Sequence, residues 1–202
     1  MNARPTAAGA VVDGVDWDRF SVVLLKPDCV RRELTDIVLA ALAERGGVEV
    51  VFWMPVTVAA WQIHVHYWDM LVDADWWLPL NIPLCLDQAY VGQSVVVALV
   101  RGAGGTPARL RGLLGHFDPA EAGPGTIRGD FGTDSLATAR QAGRLVENLI
   151  HTSDDEAAVA RDFGTWFGAD RRHLLPRPIA SPRLPDLPRS ASSTNCRKEE
   201  PP

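Results

Sequence analysis

The chain has little cysteine and no excess of positive charge, and each shortage excludes a class of protein. Its three cysteines, Cys29, Cys85 and Cys196, are odd in number and widely spaced, which matches neither a disulfide framework nor the paired spacing of a zinc site. The net charge of -5 gives no sign of a nucleic-acid-binding surface, which usually carries clustered Lys and Arg. We therefore expect a cytoplasmic protein with no specific nucleic-acid partner.

The sequence also lacks long hydrophobic runs. Its first dozen residues hold one arginine and then small residues, without the apolar stretch of an export signal. The apolar stretch 48–58 is interrupted by Glu49 and Pro55, and it is far shorter than the roughly 20 residues of a spanning helix. We expect no membrane association.

Apolar residues make up 47% of the 202 residues, which is enough for one good-sized core. Residues 1–18 mix Ala, Gly, Pro and Asp without a period, and residues 175–202 are dense in Pro, Ser and Arg. Both compositions are typical of disorder. We predict a single domain at 19–174 between two disordered ends.

Within this domain the apolar pattern alternates between strand and helix. Runs rich in β-branched residues predict strands at 21–25, 48–58, 94–100 and 145–150. Helical spacing and end signals predict helices at 34–46, 59–71 and 107–114, and after residue 153. This order indicates an α/β (α+β) fold of the ferredoxin-like split βαβ type, with a four-stranded antiparallel sheet and covering helices.

His151 is the main candidate for chemistry. It lies between the predicted strand 145–150 and a helix start, where Ser153 and Glu156 have the spacing of a capping box. Imidazole is close to half neutral near pH 7, and a neutral ring nitrogen can attack phosphorus. A lone histidine in such a place is more often structural, so the residues around it must decide.

Four segments in order along the chain bear on this choice. They are Lys26-Pro27-Asp28, the GTIRGDF stretch at 125–131, the NLIHTSD stretch at 148–154 and the FGTWF stretch at 163–167. Together they closely resemble the nucleoside diphosphate kinase family over about residues 20–168. The resemblance implies that His151 carries the phosphoryl group.

The resemblance further implies which residues bind the nucleotide. Lys26 would contact the terminal phosphate, Tyr67 would hydrogen-bond nearby, and Arg111 and Arg128 would hold the β- and γ-phosphates. Asn148 would reach the sugar hydroxyls and the phosphate. Considered alone, each of these cations is more often a solvated charge, but phosphoryl transfer needs positive donors around the transferring oxygens, and guanidinium groups bind phosphate bidentately.

Two further residues are implied as parts of the catalytic group. Asp162 stands where the family has a glutamate that orients the histidine ring, and Ser153 would support it. A carboxylate on the far ring nitrogen fixes the tautomer that leaves the near nitrogen nucleophilic. The implied reaction is ping-pong: a nucleoside triphosphate phosphorylates His151, and a nucleoside diphosphate then collects the phosphoryl group. No Gly-rich Walker loop is needed, and the sequence has none.

The resemblance also implies a cofactor and an assembly. Mg²⁺ would bridge the nucleotide phosphates rather than occupy a protein cage. His64 and His66 lack a third ligand at recognisable spacing, so we predict no protein-bound metal. Family members usually assemble from dimers, so a homo-oligomer is expected.

The chain departs from the family pattern at several places. Phe117 stands where the family has a hydroxyl residue at the phosphates, which removes a hydrogen bond worth about 1 kcal/mol and brings a bulky ring into the pocket. Asp162 is one methylene shorter than the glutamate, and Thr152 replaces a glycine. These departures leave two alternatives to an active kinase, namely a catalytically weak nucleotide-binding module and a phosphotransferase for a specialised acceptor.

Two longer segments add to these departures. The segment 68–91 is longer than in the family and contains Trp76 and Trp77, one of which is a candidate for stacking on the base. The range 132–147 carries an insertion ahead of His151, which can alter oligomer contacts or cover the site.

Overall fold

The computed structural model describes residues 14–72 and 81–176. Its centre is an antiparallel sheet of four strands in the order β2-β3-β1-β4. The strands are β1 (Phe20–Leu25), β2 (Glu49–Thr57), β3 (Ser94–Arg101) and β4 (Ile150–Thr152). This arrangement confirms the predicted ferredoxin-like fold.

Helices cover both faces of the sheet. They are α1 (Pro27–Arg31), α2 (Thr35–Gly46), α3 (Ala60–His66), α4 (Trp68–Val72), α5 (Ile82–Tyr90), α6 (Thr106–Leu114), α7 (Ile127–Phe131), α8 (Leu136–Gln141) and α9 (Glu156–Trp166). Short 3₁₀ helices occur at Trp17–Arg19, Pro119–Glu121 and Ala169–Leu174. Over 14–72 and 81–176, no helix is both long and apolar enough to cross a membrane.

The central strand β1 divides the core into two layers. Successive side chains of a strand point to opposite faces. Val22 and Leu24 therefore pack with α3, α5 and α9, whereas Val23 and Leu25 pack with α2 and α6. Because both faces are covered, all six residues of β1 are buried, which explains why every one of them except Ser21 is apolar.

Glycines end helices where the sequence predicted it. Gly47, the C-cap of α2, has φ 59 and ψ 44, a left-handed conformation that costs glycine little. Gly115 ends α6 with φ 80, and a Cβ at this position would collide with Thr126. Any residue other than glycine at 115 would therefore strain the turn from α6 to the segment before α7.

The predicted fourth strand and its capping box are wrong. The strand is Ile150–Thr152, because Leu149 has a positive φ of 66 and turns the chain, so that the preceding residues stay outside the sheet ladder. The N-cap of α9 is Asp155, whose carboxylate accepts a hydrogen bond from the N–H of Ala158. The hydroxyl of Ser153 instead donates to Asp162, so Ser153 supports the site and not the helix end.

The range 132–147, for which the sequence predicts an insertion, contains α8 and is held together by hydrogen bonds. Asp134 accepts two hydrogen bonds from Arg144, at 2.6 and 3.0 Å, and a third from the backbone N–H of Glu147. The hydrogen bonds from Arg144 lower the pKa of Asp134 to about 2. The insertion is thereby closed on itself and ends beside His151.

The packed core reaches into the two ends that the composition assigned to disorder. Val15 and Trp17 are buried in the layer that contains Phe163, and so is Leu175 at the other end. The composition of these two ends predicted disorder because their few apolar residues are surrounded by Gly and Pro. The predictions for 1–13, for Trp76 and Trp77, and for 177–202 lie outside the described residues.

Candidate active site

A cavity of about 390 Å³ lies beside the C-terminal end of β1 and beside β4. It brings together His151, Phe117 and every residue that the resemblance implied for nucleotide binding, namely Lys26, Tyr67, Arg111, Arg128 and Asn148. Asp162 and Ser153 lie behind its wall. The sheet register explains the convergence, because His151 pairs with Leu24, two residues before Lys26.

Lys26 is placed by the proline that follows it. Pro27 ends β1 and occupies the first position of α1, which leaves Lys26 extended at the strand end. Its ammonium donates to the amide oxygen of Asn148 at 2.6 Å, and the amide nitrogen of Asn148 donates to the carbonyl of Phe117 at 2.7 Å. Burial, together with the nearby charge of Arg128, lowers the pKa of Lys26 to about 7.

Arg128 is a buried guanidinium held by backbone carbonyls. Its two terminal nitrogens donate to Gly115 at 3.0 Å and to Ile150 at 2.9 Å, while its Nε is buried without a partner among the described residues. Burial lowers the pKa of Arg128 to about 10, and the charge of Arg111 adds to this shift. An unpaired buried donor that belongs to a cation favours an anionic ligand.

Arg111 lies on α6, lines the cavity and is half exposed. It forms a 3.0 Å ion pair with Asp154, which also lines the cavity. Burial raises the pKa of Asp154. Because an exposed ion pair contributes little to stability, Arg111 can leave Asp154 for a phosphate at small cost.

His151 presents a neutral ring to these cations. Burial, and then electrostatic interactions with His66 and Lys26, lower the pKa of His151 well below its ordinary value. The ring stands nearly perpendicular to His66, with centroids 4.8 Å apart, and is tilted 63° to Tyr67 at 5.2 Å. A neutral imidazole has a free lone pair, which is the form required for attack on phosphorus.

Asp162 does not contact His151, contrary to the role implied for it. Its Oδ1 lies 3.1 Å from Nδ1 of His66, and its Oδ2 accepts a 2.7 Å hydrogen bond from Ser153. Burial alone raises the pKa of this carboxyl, but the neighbouring His66 and the hydroxyl of Ser153 bring it below its ordinary value. The side chain is one methylene shorter than glutamate, and the ring of His66 stands beside the ring of His151.

Tyr67 has a hydrogen-bond partner that the sequence did not predict, whereas Phe117 lines the cavity. The hydroxyl of Tyr67 lies 3.1 Å from that of Tyr90, and burial raises the pKa of both phenols. Phe117 lines the cavity with its side chain partly exposed, and its ring contacts His116 at 4.6 Å. The bulky ring therefore does border the phosphate site.

Sequence reasoning missed several residues that border this cavity. His66 was considered only with His64 for a metal, but His64 faces Asp87 and His66 faces Asp162. The missed residues that line the cavity are His66, Asp69, Met70, Leu86, Tyr90, Leu145, Val146, Asp154 and Arg161. Of these, only His66 could have been found from the sequence, because it directly precedes Tyr67, a predicted site residue.

A neutral histidine that faces one ammonium and two guanidinium groups defines, on this fold, a phosphotransferase with a histidine phosphate carrier. The match to a family model identifies the family: residues 20–171 match the model described as "Nucleoside diphosphate kinase". The chain belongs to the nucleoside diphosphate kinase family.

Individual relatives agree with this assignment. The chain is 35% identical over 147 residues to a nucleoside diphosphate kinase of a Nocardioides species, covering 73% of this chain and 95% of the relative. It is 31% identical to that of Streptomyces coelicolor, covering 73% and 94%. A Borrelia burgdorferi nucleoside-diphosphate kinase, solved as a transition-state mimic with vanadate and ADP, has a TM-score of 0.67 at 29% identity over 75% of this chain and 88% of that one.

Proposed function

We propose that this chain is an active nucleoside diphosphate kinase in which His151 carries the phosphoryl group. The observation that carries the proposal is one cavity in which a neutral histidine faces Lys26, Arg111 and Arg128. A lone pair of His151 attacks the γ-phosphorus of a nucleoside triphosphate, and the bond to the β-phosphate oxygen breaks with its electron pair on the diphosphate. A second nucleoside diphosphate reverses the step and leaves with the phosphoryl group.

The cations supply the positive field that this transfer needs. Arg128 offers its unpaired Nε to phosphate oxygens, and Arg111 exchanges Asp154 for phosphate. Phosphate binding favours the charged form of Lys26, whose ordinary partner is the amide oxygen of Asn148. Asn148, freed from Lys26, becomes available to the ribose hydroxyls.

A divalent ion fits this site as part of the nucleotide. Within 14–72 and 81–176, no three His, Cys, Asp or Glu side chains converge to hold a metal. The cavity is lined by three cationic side chains that can bind phosphate, and Asp69 and Asp154 line it as well. We propose Mg²⁺ bound through the nucleotide phosphates, where it neutralises phosphate charge.

The proposal extends to assembly and location. β2 is an edge strand of the sheet, with Trp53 46% exposed, which supports a homo-oligomer that covers this edge. Cytoplasmic location belongs to the same proposal, and so does a single domain that covers the predicted range 19–174 and is extended by Val15, Trp17 and Leu175, which pack in its core.

The test is phosphorylation with γ-labelled ATP and Mg²⁺ of the wild type, of His151→Ala and of His173→Ala, an exposed histidine outside the cavity. We expect acid-labile, base-stable label on the wild type and on His173→Ala, none on His151→Ala, and transfer of the label to added CDP or GDP. Binding of ATP without label on the wild type would refute the function. Label that no added diphosphate removes would refute nucleotide exchange.

A further inference from the structure

His66 is a buried, titratable group of the candidate active site that the proposed reaction leaves without a role. It ends α3, has 1% of its surface exposed, and stands nearly perpendicular to three rings. The ring centroids lie 4.8 Å from His151, 4.9 Å from Tyr67 and 5.6 Å from Trp166. A histidine so enclosed has a fixed orientation, so its two nitrogens have defined neighbours.

The Nδ1 atom of His66 has two neighbours that make opposite demands. It lies 3.1 Å from Oδ1 of Asp162, to which it can only donate, and 3.2 Å from the indole nitrogen of Trp166, from which it can only accept. A hydrogen bond to a carboxylate is roughly twice as strong as one between neutral groups. We therefore assign the proton of His66 to Nδ1, with Asp162 as its acceptor.

The Nε2 atom of His66 then bears a lone pair, and it is buried without a partner among the described residues. A buried polar atom without a hydrogen bond lowers the stability of the fold by about 1 to 3 kcal/mol, so an unpaired Nε2 at this position requires an explanation. The neighbouring ring of His151 makes no hydrogen bond within 14–72 and 81–176. The ring centroids are 4.8 Å apart, so a hydrogen bond between the two rings requires rotation of the His151 ring about its broad terminal torsion.

Hydrogen bonds from two other side chains hold the carboxylate of Asp162 next to His66. Ser153 donates to its Oδ2 at 2.7 Å, and Arg161 donates to its Oδ1 at 3.2 Å. Arg161 also donates to the backbone carbonyl of His66 at 3.3 Å, which connects α9 to the end of α3. The carboxylate and the imidazole are thus held to each other, and not to His151.

We propose that His66 is a positioning residue that connects Asp162 to His151. Its Nδ1–H donates to Asp162, and its Nε2 accepts the ring N–H of His151, which leaves the other nitrogen of His151 as the nucleophile. Attack on phosphorus puts positive charge on the His151 ring. The hydrogen bond to His66 therefore strengthens in the transition state, and the charge of Asp162 acts through His66. This inference rests on the proposed phosphoryl transfer.

The first test compares His66→Ala and His66→Asn with His64→Asn, a matched control on the same helix that faces Asp87 at the surface. Single-turnover labelling with γ-labelled ATP gives the rate of phosphorylation, and titration with ATP gives its affinity. We expect the His66 variants to lose on the order of a hundredfold in rate, as for a lost hydrogen bond that stabilises the transition state, with little change in affinity. An unchanged rate, or equal losses in rate and affinity, would overturn the proposal.

The second test asks whether Asp162 acts through His66. Groups that act in series are not additive, so the double variant His66→Ala, Asp162→Asn should be no slower than the slower single variant. Losses that multiply would mean that Asp162 acts on His151 independently of His66.

A third measurement needs only the folded wild type. Nitrogen-15 shifts of the imidazole rings should place the proton of His66 on Nδ1, and a proton on Nε2 alone would refute the relay even if every variant unfolds. Failure of the proposed function is distinguishable, because a wild type that takes up no label removes the kinase assignment, whereas a labelled wild type with unaffected His66 variants removes only the relay.

Discussion

Replacement of Lys26 by methionine should stabilise the ligand-free protein while it weakens nucleotide binding. The ammonium of Lys26 is partly buried near Arg128, and its pKa is lowered from 10.5 to about 7. The folded protein therefore disfavours the charged form that the unfolded chain carries at neutral pH. Methionine has a similar length and no charge, so Lys26→Met removes this cost.

The sign and magnitude follow from the two pKa values. As pH falls from 10.5 to about 7, the unfolded chain binds a proton at Lys26 that the folded protein does not, so wild-type stability falls through this window and is constant below it. The full shift corresponds to about 5 kcal/mol. Screening by water in the cavity and loss of the bond to Asn148 reduce the expected net gain to about 2 kcal/mol below pH 7.

The assay is urea denaturation of the wild type and of Lys26→Met, without nucleotide, at several pH values from 6 to 10.5. We expect the variant to be more stable at pH 6 and the difference to vanish towards pH 10.5. Affinity for ATP, measured at pH 7, should fall in the variant. Parallel stability curves across this range would refute the assignment of a strained buried ammonium to Lys26.

Two further substitutions, with a third as a control, test the residues that frame the site. Arg128→Lys cannot reproduce the fork that bonds both Gly115 and Ile150, so we expect a loss of about 2 kcal/mol in unfolding free energy and a slower phosphorylation of His151; unchanged denaturation and labelling would contradict this. Gly115→Ala combines a positive φ with a collision at Thr126 and should cost about 1 to 3 kcal/mol, whereas Gly112→Ala, mid-helix with open space, should gain about 1 kcal/mol. Equal melting temperatures for the two alanine variants would show that the turn at 115 is not strained.

Local sequence patterns determined most of the fold. The buried run at 21–25, the β-branched run at 94–100 and the glycines after α2 and α6 each depend on forces between near neighbours in the chain, so they could be predicted without a structure. The prediction of a strand at 145–150 was wrong because it used only such local patterns. Leu145 and Val146 are as apolar as strand residues, but they line the cavity because Leu149 turns the chain before β4.

The sequence determined His151 and its cations by their order along the chain, because ordered motifs survive divergence. Only the tertiary structure decided what Asp162 contacts. The spacing from His151 to Asp162 in the sequence is compatible with contact. Whether the carboxylate of Asp162 on α9 reaches the ring of His151 on β4 depends on the length of the acidic side chain and on which residues lie between them. Here Asp162 contacts the ring of His66, which comes from α3 and lies beside the ring of His151. No local sequence pattern encodes a contact between residues so far apart in the chain.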